Sequence, residues 1–126
     1  MPLSEAKEMV IKMKIKKRKE LVREDIKDSN IKDVNFYPAI TARDGAPNFA
    51  LRLFEIESNG YTPFHSHKWE HEVYIIEGNG FLKGEKGELK IEKDNFIFVE
   101  PEEFHQFIAG NQGLKMICVV PNIGQP

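Results

Sequence analysis

From about residue 34 onward, turn residues cut the chain into short apolar or alternating runs at near-regular intervals. Asn48–Ile56 ends at Ser58-Asn59-Gly60, and His71–Glu77 ends at Gly78-Asn79-Gly80. Phe81-Leu82-Lys83 leads into Gly84-Glu85-Lys86-Gly87, which reads as a hairpin turn because two glycines are free to take positive φ. Leu89 and Ile91 follow in alternation, and Lys93-Asp94-Asn95 turns into Phe96–Val99. Glu100-Pro101-Glu102-Glu103 breaks the run, Phe104–Ile108 resumes it, and Leu114–Val120 is the last run before Pro121. Many short strands with glycine-rich turns predict an all-β sandwich or barrel.

The 126 residues suit one domain with a core of its own. Ile11, Met13 and Ile15 alternate with lysines, which predicts an edge strand over 10–16. Residues 1–9 read as a loosely tied extension, with Ser4 a candidate helix cap, and 23–34 as polar loop. The resulting division is an N-terminal extension at 1–13 and a single domain at 14–126. The net charge of −2 gives no reason to expect nucleic acid as a partner. Residues 1–24 nevertheless carry eight basic against four acidic side chains, with the sharpest run at Lys16-Lys17-Arg18-Lys19. That run reads as a solvated strand edge, where lysines blunt pairing, rather than as a nucleic-acid arm. No run approaches the ~20 apolar residues of a membrane helix, and no secretory signal is visible. Cys118 is the only cysteine, so no disulfide forms within the chain, and a cytoplasmic location is expected.

All four histidines fall into one pattern: His65, His67, His71 and then His105. Residues two apart in a strand face one side, so His65 and His67 project together. Lys68-Trp69-Glu70 fits a short turn. In the strand after it, His71, Val73 and Ile75 share one face, and Glu72 points the other way. If the fold brings His105 to the other three, the neutral imidazoles suit zinc, copper, iron, nickel or manganese. The alternative is a buried polar cluster.

Two stretches resemble the motifs of a known family. Gly60-Tyr61-Thr62-Pro63-Phe64-His65-Ser66-His67, with Glu70-His71-Glu72 and Gly78, is similar to the first cupin motif. Phe98-Val99-Glu100-Pro101-Glu102-Glu103-Phe104-His105-Gln106-Phe107 is similar to the second. Ala46–Phe54 also resembles small single-domain cupins of thermophiles with a four-histidine manganese site. The resemblance, over roughly 14–121, implies a double-stranded β-helix (jelly-roll barrel), usually a homodimer paired through N-terminal strands. It implies His65, His67, His71 and His105 as ligands of one divalent metal per chain, with manganese expected first. The commoner cupin site has three histidines and one glutamate. Here His71 stands at the glutamate position, and Glu70 and Glu72 flank it as alternative ligands. Glu102 stands where many cupins have glycine.

Several further residues bear on function. Cys118 lines the pocket if Met116, Cys118 and Val120 face inward, and is otherwise a small core residue. Arg52, between Leu51 and Leu53, either anchors an anionic substrate or faces out from the sheet. Phe104 and Phe107 read as core packing, and Trp69 as a lid or interface anchor. Three functions fit: a dioxygenase-like oxidoreductase acting on a small organic molecule, a metal-bound or small-ligand binding module without turnover, and a metal-assisted isomerase. Every histidine is already committed to the cluster, so no histidine is left as a general base, and any acid–base role falls to Glu, Tyr or metal-bound water.

Overall fold

The computed structural model describes residues 11–125. Six antiparallel strands carry the fold: β1 (Lys32–Ile40), β2 (Phe49–Tyr61), β3 (His71–Gly84), β4 (Gly87–Glu92), β5 (Phe96–Val99) and β6 (Gln106–Pro121). Three single 3-10 turns, Arg18–Glu20, Ala42–Asp44 and Asn122–Gly124, complete the regular structure of the described residues. The strands are ordered β1-β2-β6-β3-β4, with β5 paired to the start of β3. This is the all-β jelly-roll barrel expected from the sequence. No helix among the described residues is long and apolar enough to cross a membrane.

Strand periodicity builds the interior. On β2 the inward positions are Ala50, Arg52, Phe54 and Ile56. Opposite them on β6 stand Val120, Cys118, Met116 and Leu114. Phe36 pairs with Phe54 on the β1 side, and Val73 and Ile75 of β3 close the layer against Cys118 and Met116. Ala50, Ile75, Cys118 and Val120 are at most 1% exposed. Burial of these side chains is the main drive for folding, at about 25 cal/mol per Å² of apolar surface.

The strands are longer than the punctuation suggested. Ser58-Asn59-Gly60 and Gly78-Asn79-Gly80 lie inside β2 and β3, and β6 runs unbroken from 106 to 121. The register slips at these points instead of ending. Gly78 and Gly113 take φ of +93° and +73°, and a Cβ on Gly78 would sit 2.1 Å from the Gly113 carbonyl oxygen. Two strands thus cross at backbone contact, which only glycine permits. The expected loop over 23–34 is also shortened: Glu24 bridges Phe36, and β1 begins at Lys32.

The predicted edge strand over 10–16 does not form in the described part. Residues 11–16 carry no ladder, and Ile11, Met13 and Ile15 are 76–91% exposed. Their apolar face finds no core among the described residues, and a strand without a neighbour leaves its backbone bonds to water. Residue 10 and the extension at 1–9 lie outside the described residues. The basic run is a strap rather than a strand edge. Lys16 Nζ lies 2.8 Å from both the Ala39 carbonyl oxygen and Asp44 Oδ1, and Arg18 pairs with Glu55 and lies over the Tyr37 ring.

Candidate metal centre

The site begins with two segments sewn together at one end of the barrel. Residues 62–67 follow β2 without forming a regular strand, and residues 100–105 lead into β6. Thr62 N–H donates to the Phe107 carbonyl (3.0 Å), and Phe107 N–H donates to Thr62 Oγ1 (2.9 Å). His65 and His105 exchange both backbone bonds, at 3.2 and 2.9 Å. Glu102 N–H donates to the His67 carbonyl (2.7 Å). Glu102 takes φ of +70°, the left-handed conformation. That accounts for the glycine many cupins carry there, since glycine adopts this conformation without steric cost.

These bonds bring three histidines together. Ring nitrogens of His65, His67 and His105 all lie within 4.8 Å of one another. His65 is exposed, His67 half-buried and His105 buried. Backbone oxygens settle the tautomers of two rings. His67 Nδ1 lies 2.7 Å from the Trp69 carbonyl, and His105 Nδ1 lies 2.8 Å from the Glu103 carbonyl. A carbonyl only accepts, so each Nδ1 carries the proton and each Nε2 keeps its lone pair.

His71, the first residue of β3, stands beside them. Its Nε2 lies 3.0 Å from His105 Nε2, and its Nδ1 lies 3.0 Å from Cys118 Sγ. Arg52 Nη2 donates to the same sulfur from 3.3 Å. Cys118 is 1% exposed and lines the cavity, so it is both core residue and wall. Burial lowers the pKa of His71 to about 2 and of His105 to about 4, with neighbouring imidazoles adding to the shift. His65 is lowered by burial and then by His67. Burial raises the Cys118 thiol, against the opposing effect of Arg52. His65, His71 and His105 are therefore neutral at pH 7, the form that binds a metal ion.

The histidines open onto a cavity of about 510 Å³, in the range of small-molecule sites. Phe36, Phe54, Phe107 and Met116 supply its apolar wall. Trp69 forms a lid: it stacks on His67 at 4.7 Å and 7° and packs against Gly124 of the C-terminal turn. Glu70 and Glu72 are exposed, and Glu72 sits on the outer face opposite Phe98 and Val119. Phe107 is core, as expected. Phe104 is not: it is 37% exposed and stacks on Phe64, because it falls on the outward side of the bridge that turns His105 inward. Arg52 faces inward, the first of the two orientations that the sequence left open.

Comparison with known proteins agrees with this geometry. A profile of the Cupin domain family matches residues 52–120. The polyketide cyclase RemF from Streptomyces resistomycificus superposes with a TM-score of 0.81 and 31% identity, covering 87% of this chain and 80% of that one. A cupin 2 conserved barrel domain protein from Rhodopseudomonas palustris gives 0.70 and 23%, over 81% and 72% of the two chains. A predicted oxalate decarboxylase from Thermotoga maritima gives 0.74 and 18%, over 86% and 98%. The last two speak to the fold alone. Among curated proteins none matches the sequence. The family match over more than half of the chain, on the barrel and histidine cluster described above, places this protein in the cupin family.

Proposed function

We propose that this cupin is a metal-dependent enzyme acting on a small organic molecule, with one divalent ion held by His65, His67, His71 and His105. The observation that carries it is the convergence of histidine ring nitrogens. His71 and His105 Nε2 are 3.0 Å apart, which is the spacing of two ligands about 2.1 Å from one ion at a right angle. Manganese is the metal suggested by the resemblance of the Ala46–Phe54 segment and the four histidines to thermophile cupins. A bound divalent ion supplies Lewis acidity and, where it is redox-active, a route for electrons between substrate and dioxygen. The chain's own part is to hold the ion with neutral donors, fix the ring tautomers through the Trp69 and Glu103 carbonyls, and brace His67 with the stacked Trp69 ring.

Oxidation of the substrate by dioxygen is the first reading. Cyclisation is the second, favoured by the 31% identity to a polyketide cyclase over 87% of this chain. Elemental analysis of the purified protein beside His71→Ala and Glu72→Ala tests the site. About one equivalent of metal, lost with His71 and kept with Glu72, supports four histidine ligands. Metal retained at full affinity in His71→Ala removes the fourth ligand, and no metal under any loading condition removes the enzyme reading. An oxygen electrode then separates the chemistries, because only oxidation consumes dioxygen.

The chain is further proposed to pair with itself. Phe96 and Phe98 are 83% and 57% exposed on the outer sheet, and Ile11, Met13 and Ile15 have no partner in one described chain. Size-exclusion chromatography of the full chain and of a chain lacking residues 1–16 tests this. An unchanged dimer after truncation counts against pairing through the N-terminal segment.

A further inference from the structure

The inward faces of β1, β2, β3 and β6 are apolar or belong to the histidine cluster, with one exception. Arg52 is a half-buried charged side chain on the wall of the cavity. Its neighbours across the sheet are Pro38 and Cys118, and its guanidinium lies 5.7 Å and 5.3 Å from the Phe36 and Phe54 ring centroids. Nε is buried and has no hydrogen-bond partner. The side chain's one hydrogen bond among the described residues goes to the Cys118 sulfur, a weak acceptor. No carboxylate of the described residues lies within 4.0 Å of it. The two acids at the cavity mouth are already engaged, Glu24 by Arg43 at 2.8 Å and Asp25 by Arg23 at 3.3 Å.

A half-buried guanidinium whose Nε is cut off from water is completed by an acceptor, because a buried polar group without a partner is costly. The cavity walls offer no strong one. The four histidines add no negative charge, so a divalent ion among them would make the interior more positive still. A planar anion that takes two parallel N–H bonds is the natural complement of an arginine fork. The space beside that fork is walled by Phe36, Phe54 and Met116, which suit an apolar body.

We infer that Arg52 is the binding group for a small organic carboxylate, whose apolar body lies along Phe36, Phe54 and Met116 and whose far end reaches the histidine cluster. This deepens the proposed function by naming a substrate class, and its substrate role rests on that reading. The binding site itself does not need the metal. Arg52 is linked to His71 through Cys118, by contacts of 3.3 and 3.0 Å, so a ligand on the guanidinium lies next to the cluster.

The test is a binding titration of the full-length protein, metal-loaded and metal-free, with benzoate and its neutral analogue benzamide. Trp69 is the single tryptophan and lines the cavity, so its fluorescence reports occupancy. Benzoate is expected to bind at least tenfold more tightly than benzamide in both forms. Arg52→Gln should abolish that preference, and Arg52→Lys should keep part of it. Equal affinities for the two ligands, or a preference that survives Arg52→Gln, overturns the inference. So does a preference that exists only in the metal-loaded protein and ignores residue 52, since the carboxylate would then sit on the ion. Should Arg52→Gln fail to fold, the wild-type preference and its reduction in Arg52→Lys still decide. Metal content measured on the same samples keeps the two proposals apart. Metal without benzoate preference sinks this one alone, and benzoate preference without metal sinks the metal site alone.

Discussion

The two ends of the barrel interior are built by the same alternation and end as different things. Around the β3–β6 crossing, Ile56, Ile75, Ile91, Ala109 and Leu114 fill the space and are at most 5% exposed. Toward the other end the equivalent inward positions are Arg52, His71 and Cys118, joined by His65, His67 and His105 from the connecting segments. The pleat decides which residues look inward, and side-chain chemistry then decides whether that space becomes core or cavity. At the closed end the strands meet in backbone contact at Gly78 and Gly113, whereas at the open end the Thr62–Phe107 and His65–His105 hydrogen bonds join two irregular segments.

The sharpest way to break the comparison is to remove one residue from each end. His105→Ala is expected to lower metal affinity by more than about 100-fold while the barrel still forms, since even partners behind a ligand are worth 10–100-fold. Metal titration with far-ultraviolet circular dichroism checks both halves of that statement, and retained affinity would remove His105 from the ligand set. Ile75→Ala at the closed end should do the reverse. It should cost about 2–5 kcal/mol of stability by leaving a cavity, with metal stoichiometry unchanged in the protein that remains folded. Urea denaturation measures it, and a loss under 1 kcal/mol would mean the closed end relaxes freely.

Acid should weaken the open end of the metal-free protein. His71 and His105 have folded-state values of about 2 and 4, both below the ordinary 6.5, so the unfolded chain takes up protons first as the pH falls. Stability is therefore full above about pH 6.5 and declines toward pH 4, by about 1.4 kcal/mol per pH unit for each ring. Urea midpoints at pH 7, 6 and 5 test this, and a flat profile would mean that these rings are not held neutral.

Outside both ends, Thr41→Ala removes a capping box in which Thr41 Oγ1 accepts from Arg43 N–H (3.2 Å) and Asp44 Oδ2 accepts from Thr41 N–H (3.0 Å). The expected loss is about 1 kcal/mol, read as a small shift in thermal midpoint, with no change in metal binding. The smallest effect belongs to Glu72→Ala, which should leave metal affinity unchanged because the side chain lies on the outer face.

Much of this was legible in the residues. The alternation of Phe54, Arg52 and Ala50, and of Met116, Cys118 and Val120, is a strand period, so the all-β class follows from local sequence, whereas the side of each strand that faces inward does not. The histidine spacing and the Pro101 turn marked the cluster. The outward position of Glu72 also follows from parity, which is opposite to that of His71. Errors arose where one residue type has two uses. Gly78 reads as a strand end and instead lies at a register shift inside β3, since positive φ serves both. Ile11, Met13 and Ile15 carry a strand period, but alternation states only which side would face a neighbour, not that a neighbour exists within the chain.

Sequence alone therefore determined the fold class, the parity of each strand and the residues able to hold a metal, because these depend on local backbone geometry and donor chemistry. Tertiary structure alone decided that His105 meets His71 at 3.0 Å, that the Trp69 and Glu103 carbonyls fix the ring tautomers, and that Arg52 stands among aromatic rings with no carboxylate of the described residues paired to it. Those facts require strands separated by tens of residues to pair in one register, and register is set by burial of the whole inward face rather than by any segment of it.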